Sequence, residues 1–262
     1  MLSHKPWNPE SLLWLGCGLM LALAPGAAVA GLFEDGSIAQ MAANVTALPV
    51  AILVAVAVWF QANRRVYQSP IRLADTFGFN RNNTGRCLLL GLATGLGLVL
   101  IAMVLALLTN LLIQSLGDHA EPQKLVTLIA EESAKKENIR TLIFFVVMAV
   151  AVAPIAEEIL FRGILYPAIK QIGHPRLAAI GTALLFALFH VNLLTFASLT
   201  VVALVLIVLY EKTDNLIAPI IAHAIFNTSN VAMIFMASKP LAPTTLENWL
   251  GFRYAIESVL II

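Results

Sequence analysis

Three short stretches set polar side chains into otherwise apolar runs: EEILFR at 157–162, FALFH at 186–190 and HAIFN at 223–227. A carboxylate and an imidazole that share one water can activate it, the carboxylate taking the proton as general base. A second imidazole, with an amide one helical turn away, can donate hydrogen bonds to a developing oxyanion. Glu157, His190, His223 and Asn227 supply those parts. The chemistry they suit is hydrolysis of a peptide or ester bond without a covalent enzyme intermediate. Ser198, Thr200, Thr228 and Ser229 are present, but none lies in a GxSxG elbow or a Ser-Lys arrangement. Glu157, His190 and His223 also form a ligand set that suits zinc, two His and one Glu with water in the fourth position. HExxH is absent, and the expectation is a site without a metal or other cofactor, with zinc as the alternative.

Helical spacing sorts the charges. Glu158 and Arg162 stand four residues apart and share a face, as do His223 and Asn227. Arg162 is therefore expected to neutralise Glu158, while Glu157, rotated by about 100°, is left without a local partner and free to handle a proton. A kink after Pro154 would rotate the two glutamates and leave their assignment open. Phe186, four residues before His190, reads as a supporting core aromatic. Taken singly, a buried Glu-Arg pair is a common packing device and a membrane histidine a common hydrogen-bonding residue. Their convergence at one depth favours the functional reading.

The elements that must position these residues are membrane helices. Sixty per cent of the 262 residues are hydrophobic and 12% charged, with a mean hydropathy of +0.87, outside the range of a soluble domain. At about 20 residues per span, the chain has room for about six to eight crossings and for no separate soluble domain. Apolar runs predict seven helices, at 11–33, 42–60, 87–115, 141–171, 176–191, 193–210 and 215–237. The tail 246–262 is a partial eighth span or an interfacial segment. The fold class is all-α, a polytopic transmembrane bundle of seven to eight spans. Residues 1–262 form one membrane-embedded domain, with the motif-bearing core at 140–235. Cys17 and Cys87 match no metal or redox spacing and read as packing residues.

Arg64, Arg65, Arg72, Arg81 and Arg86 place the loop 61–86 in the cytoplasm, and the amino terminus with it. Segments 172–175 and 211–214 then lie on the same side, and 34–41 and 116–140 on the other. Lys5, the apolar run Leu12 to Ala24 and the A-x-A pattern at Ala28 to Ala30 resemble a signal peptide; the remaining topology is the same with or without cleavage. The stretch KLVTLIAEESAKK within 116–140 suits an amphipathic interfacial helix. The net charge of +1 gives no reason to expect a nucleic-acid partner.

In order and on consecutive spans, EEILFR, FALFH and HAIFN resemble the EExxxR, FxxxH and HxxxN motifs of the type II CAAX prenyl endopeptidases and bacteriocin-processing proteins, the CPBP or Abi family. The resemblance covers roughly 140–235. It implies an intramembrane protease with about eight helices and a cavity reached from the cytoplasm. Glu157 and His190 would activate water, His223 and Asn227 would hold the oxyanion, and Glu158 with Arg162 would support them. The implied partners are the lipid bilayer and a peptide or protein C-terminus, lipidated substrates included. The implied location is the cytoplasmic (inner) membrane of a bacterium. The rival readings are a proton-coupled transporter, against which no inverted repeat is evident, and a non-catalytic scaffold or immunity protein.

Overall fold

The structure, a computed structural model, describes residues 2–7, 10–66, 72–79, 82–115, 139–190 and 193–237. Among them, eight helices follow one another: α1 (Ser11–Ala30), α2 (Ile38–Val66), the short α3 (Leu73–Thr76), α4 (Thr84–Ser115), α5 (Ile139–Gln171), α6 (Pro175–Phe189), α7 (Leu193–Thr213) and α8 (Ile217–Ala237). A helix lies at each of the seven expected positions, α2 and α4 being longer than their apolar runs. The expected interfacial stretch in 116–140 and the partial span in the tail lie outside the described residues.

Five of these helices are long and apolar enough to cross a bilayer, and α6 and α8 are shorter apolar helices. Their outward faces are apolar: Leu13, Trp14 and Leu21 on α1 and Leu89, Leu96 and Leu100 on α4 are exposed. That is the pattern of a protein solvated by lipid, where backbone groups must be satisfied within each helix. The chain is an integral membrane protein. Cys87 is buried as expected, whereas Cys17 lies on the exposed face of α1 and packs no core.

One end of the bundle is laced by hydrogen bonds. Lys5 Nζ donates to the carbonyl of Thr76 and to Asp214 Oδ1, each at 2.7 Å. The Lys5 backbone N–H reaches Gln171 Oε1 at 2.7 Å, and Leu216 N–H reaches the carbonyl of Phe77. The amino-terminal residues, 72–79, the end of α5 and the α7–α8 turn therefore share one face, the grouping that the Arg-based topology requires. Gly78, at φ +79°, lies so close to Asp214 that a Cβ would sit 2.1 Å from its carbonyl oxygen. Asp214 itself turns at φ +47°, a conformation that a short polar side chain tolerates.

Lys5 is 1% exposed. Burial pushes the Asp214 carboxyl up, but hydrogen bonds from Lys5 and Ser3 outweigh it and hold the group below its ordinary value. A depressed carboxyl stabilises the fold above its unfolded value, near 3.9, and that stability is lost as pH falls through the folded value. Lys5→Met removes the cation that balances Asp214 and leaves it only its hydrogen bonds from Ser3, and is expected to cost about 3 kcal/mol at neutral pH. In detergent unfolding, the gap to wild type should narrow as pH falls below about 4, from the unfolded value through the lower folded one.

Helix α4 meets α8 through Gly91 and Gly95. A Cβ on Gly91 would meet the Ala218 carbonyl at 2.8 Å, and one on Gly95 the Ala222 carbonyl at 2.8 Å. This is the small-xxx-small contact by which membrane helices approach. It fixes the helix that carries His223 and Asn227. Gly95→Leu must push α8 outward and is expected to lower the detergent melting temperature, with loss of whatever activity depends on His223.

Candidate active site

Helix α5 is not a uniform α-helix. Two π-helical segments, Met148–Val152 and Ile159–Leu165, flank the regular turn Ala153–Glu158 that carries both glutamates. Each precedes a proline, Pro154 or Pro167, that lacks an N–H and crowds the preceding turn. Such insertions are frequent at functional sites. They widen the helix on either side of Glu157 and Glu158 instead of breaking it.

The i, i+4 pair forms as the spacing predicts. Arg162 Nη1 donates to Glu158 Oε1 at 2.8 Å, with both side chains buried. The guanidinium also lies 4.6 Å from the Phe186 ring centroid, and Nη2 reaches the carbonyl of Ala203 on α7. The same Glu158 oxygen is 2.8 Å from His223 Nδ1. A carboxylate already accepting from a guanidinium takes Nδ1 as a second donor, which leaves His223 Nε2 facing Glu157 Oε2 at 3.9 Å. His223 thus stands between the two glutamates, and Glu157 has a neighbour that its spacing alone does not reveal.

His190 ends α6, and its Nδ1 is 2.9 Å from the Phe186 carbonyl. That carbonyl accepts the Nδ1 proton and leaves Nε2 available. Glu157 and His190 line one cavity of about 220 Å³, walled by Val45, Leu48, Pro49 and Ile52 of α2 and by Met148 and Phe189. Phe186 is fully buried, with its ring 4.8 Å from His190 and 5.9 Å from His223. It is the shared wall that holds both imidazoles and the guanidinium, a larger role than its spacing suggests.

Asn227 is buried, and its Nδ2 donates to the Ala149 carbonyl at 2.8 Å. That carbonyl needs a donor from outside the helix. The Ala153 N–H goes to Met148, and residue 154 is proline. One Asn227 N–H therefore ties α8 to the first π-helical segment, and its second remains for other use.

The cavity has a direction. Helices α2 and α5 run parallel toward the face laced by Lys5, and from Glu157 and Ile52 the lining continues away from that face to Met148 and the exposed Asn44. Among the described residues no three His, Cys, Asp or Glu side chains converge to hold a metal ion.

The geometry gathers all seven motif residues on α5, α6 and α8. One segment of the chain is similar to a known family. Residues 139–229 match the family described as type II CAAX prenyl endopeptidase Rce1-like. No curated protein and no solved structure matches the chain. The Rce1-like segment holds every motif residue, whereas α1, α2 and α4 lie outside it. The family is one of proteases that act on proteins, so hydrolysis of a protein substrate is the activity supported at that level. Lys5, Trp7, Gly91 and Gly95 brace the Rce1-like segment from outside it. Of these, only the G-x-x-x-G spacing of the two glycines carries a sequence signal.

Proposed function

We propose that the protein is an intramembrane endopeptidase that cleaves a membrane-associated or lipidated protein substrate, through a water activated by Glu157 and His190. The observation that carries this reading is that both residues line one largely apolar cavity, within reach of His223. Glu157 takes a proton from the water as its oxygen attacks the scissile carbonyl, and returns it to the leaving amine. His190 Nε2 orients that water. His223, as an imidazolium whose Nδ1–H is held by Glu158, donates from Nε2, and together with the second N–H of Asn227 it stabilises the oxyanion. The apolar wall on α2 receives a side chain of the substrate. No step uses a metal.

The Arg-bearing loop and the amino terminus face the cytoplasm of a bacterium in this account. The cavity then runs from Glu157 toward the outer leaflet, and the substrate segment reaches it from that side.

The test is cleavage of a fluorogenic, C-terminally lipidated peptide by the purified protein in detergent. Turnover is expected, and it should survive exhaustive chelation with no stoichiometric zinc in elemental analysis. Turnover that disappears on chelation and returns with zinc would contradict the metal-free mechanism. Absence of cleavage, together with Glu157-dependent proton flux in proteoliposomes, would replace the reading with transport.

A further inference from the structure

We propose that Trp7, far outside the Rce1-like segment, is a positioning residue for the reaction, because its indole supplies the hydrogen bond that Pro167 cannot. The inference rests on the proteolytic reading above. At Gly163 the π-helical segment gives way to the regular turn Tyr166–Gln171, and in the regular register its carbonyl would accept from the N–H four residues on. That residue is Pro167, which has no N–H. Trp7 Nε1 donates to this carbonyl instead, at 2.8 Å and fully buried.

The position of that carbonyl makes the bond consequential. Gly163 lies inside the second π-helical segment, directly after Arg162. Arg162 holds Glu158, and Glu158 holds His223 Nδ1. The register of this segment therefore sets where the Arg162–Glu158–His223 relay stands relative to Glu157. On the other side of the glutamates, Asn227 meets the same need at Ala149, also next to a proline. The two π-helical segments are thus each held by one side chain from outside α5, and Trp7 is the partner that no motif identifies.

Trp7 is itself fixed. It packs against Trp59 at 5.2 Å, Phe77 at 6.1 Å and Phe60 at 6.3 Å between centroids, and Lys5 anchors the segment two residues earlier. Gly163 has no room to move toward this cluster, since a Cβ there would stand 2.8 Å from the Phe77 ring.

The experiment compares wild type, Trp7→Phe, Pro167→Ala and the double variant in the peptide assay. Phenylalanine keeps an aromatic ring and removes the donor, and alanine at 167 restores a backbone donor to the helix. Trp7→Phe is expected to lower kcat about tenfold, the effect of one buried carbonyl left unpaired, with KM within twofold. Pro167→Ala alone should stay within twofold of wild type, and the double variant should recover to within twofold. A Trp7→Phe enzyme with wild-type kcat, or a double variant no better than the single, overturns the proposal. If Trp7→Phe does not fold, a folded double variant supports it and an unfolded one overturns it. If wild type cleaves nothing, the proteolytic reading has failed, and hydrogen exchange decides the positioning claim alone. Faster exchange in 159–171 than in 148–152 on Trp7→Phe substitution supports it, and uniform or unchanged exchange overturns it.

Discussion

Glu157→Gln is expected to abolish peptide cleavage while leaving the protein folded. The substitution keeps the shape and the hydrogen-bonding reach of the side chain and removes its ability to take a proton. General-base catalysis contributes about 10²–10⁴-fold, so turnover should fall by a factor in that range. Among the described residues Glu157 makes no ion pair shorter than the 3.9 Å contact with His223, so its neutralisation strands no buried charge there. The melting temperature in detergent should stay within a few degrees of wild type. An enzyme that cleaves normally with glutamine at 157 would move the proton transfer to another group, and Glu158 is the first to examine.

The second large effect is on stability. Arg162 is 1% exposed and is the cation that balances Glu158, itself fully buried. Removing one member of a buried pair leaves an uncompensated charge, at about 3–5 kcal/mol. Arg162→Met is therefore expected to be severely destabilised, and the damage should be relieved by also changing Glu158→Gln. A hydrophobic or neutral replacement of a whole buried pair is often close to neutral. The pair has satisfaction to spare for neither partner, since Arg162 Nε and Glu158 Oε2 have no hydrogen-bond partner among the described residues. Stability regained in the double variant should not bring activity with it, because His223 Nδ1 has lost its carboxylate acceptor. Equal destabilisation of the single and double variants, by denaturant unfolding, would remove the charge-balance argument.

What the sequence reveals follows from how locally each feature is determined. The membrane spans are legible because lipid solvation demands long apolar runs, and the Glu158–Arg162 bond because four residues is one helical turn. His223 bridging both glutamates is not legible. It depends on the approach of α8 to α5 across 65 residues of chain, which the α4 glycines help to set. The prolines at 154 and 167 are visible, but their outcome as π-helical segments is not, because it depends on Asn227 and Trp7 arriving from elsewhere. Lys5 is the clearest difference. By type and position it resembles the charged start of a signal peptide, whereas it is buried against Asp214 at the laced face of the bundle.

The central claim is that Glu157 and His190 act on one water as a unit, and a double-mutant cycle in the peptide assay tests it most directly. Residues that share one catalytic step lose their effect together, so their single substitutions are not additive. Glu157→Gln, His190→Ala and the combination should all reduce kcat, with the double variant no slower than the worse single variant. A double variant slowed by the product of the two single effects, or cleavage unchanged in either single variant, would contradict the account.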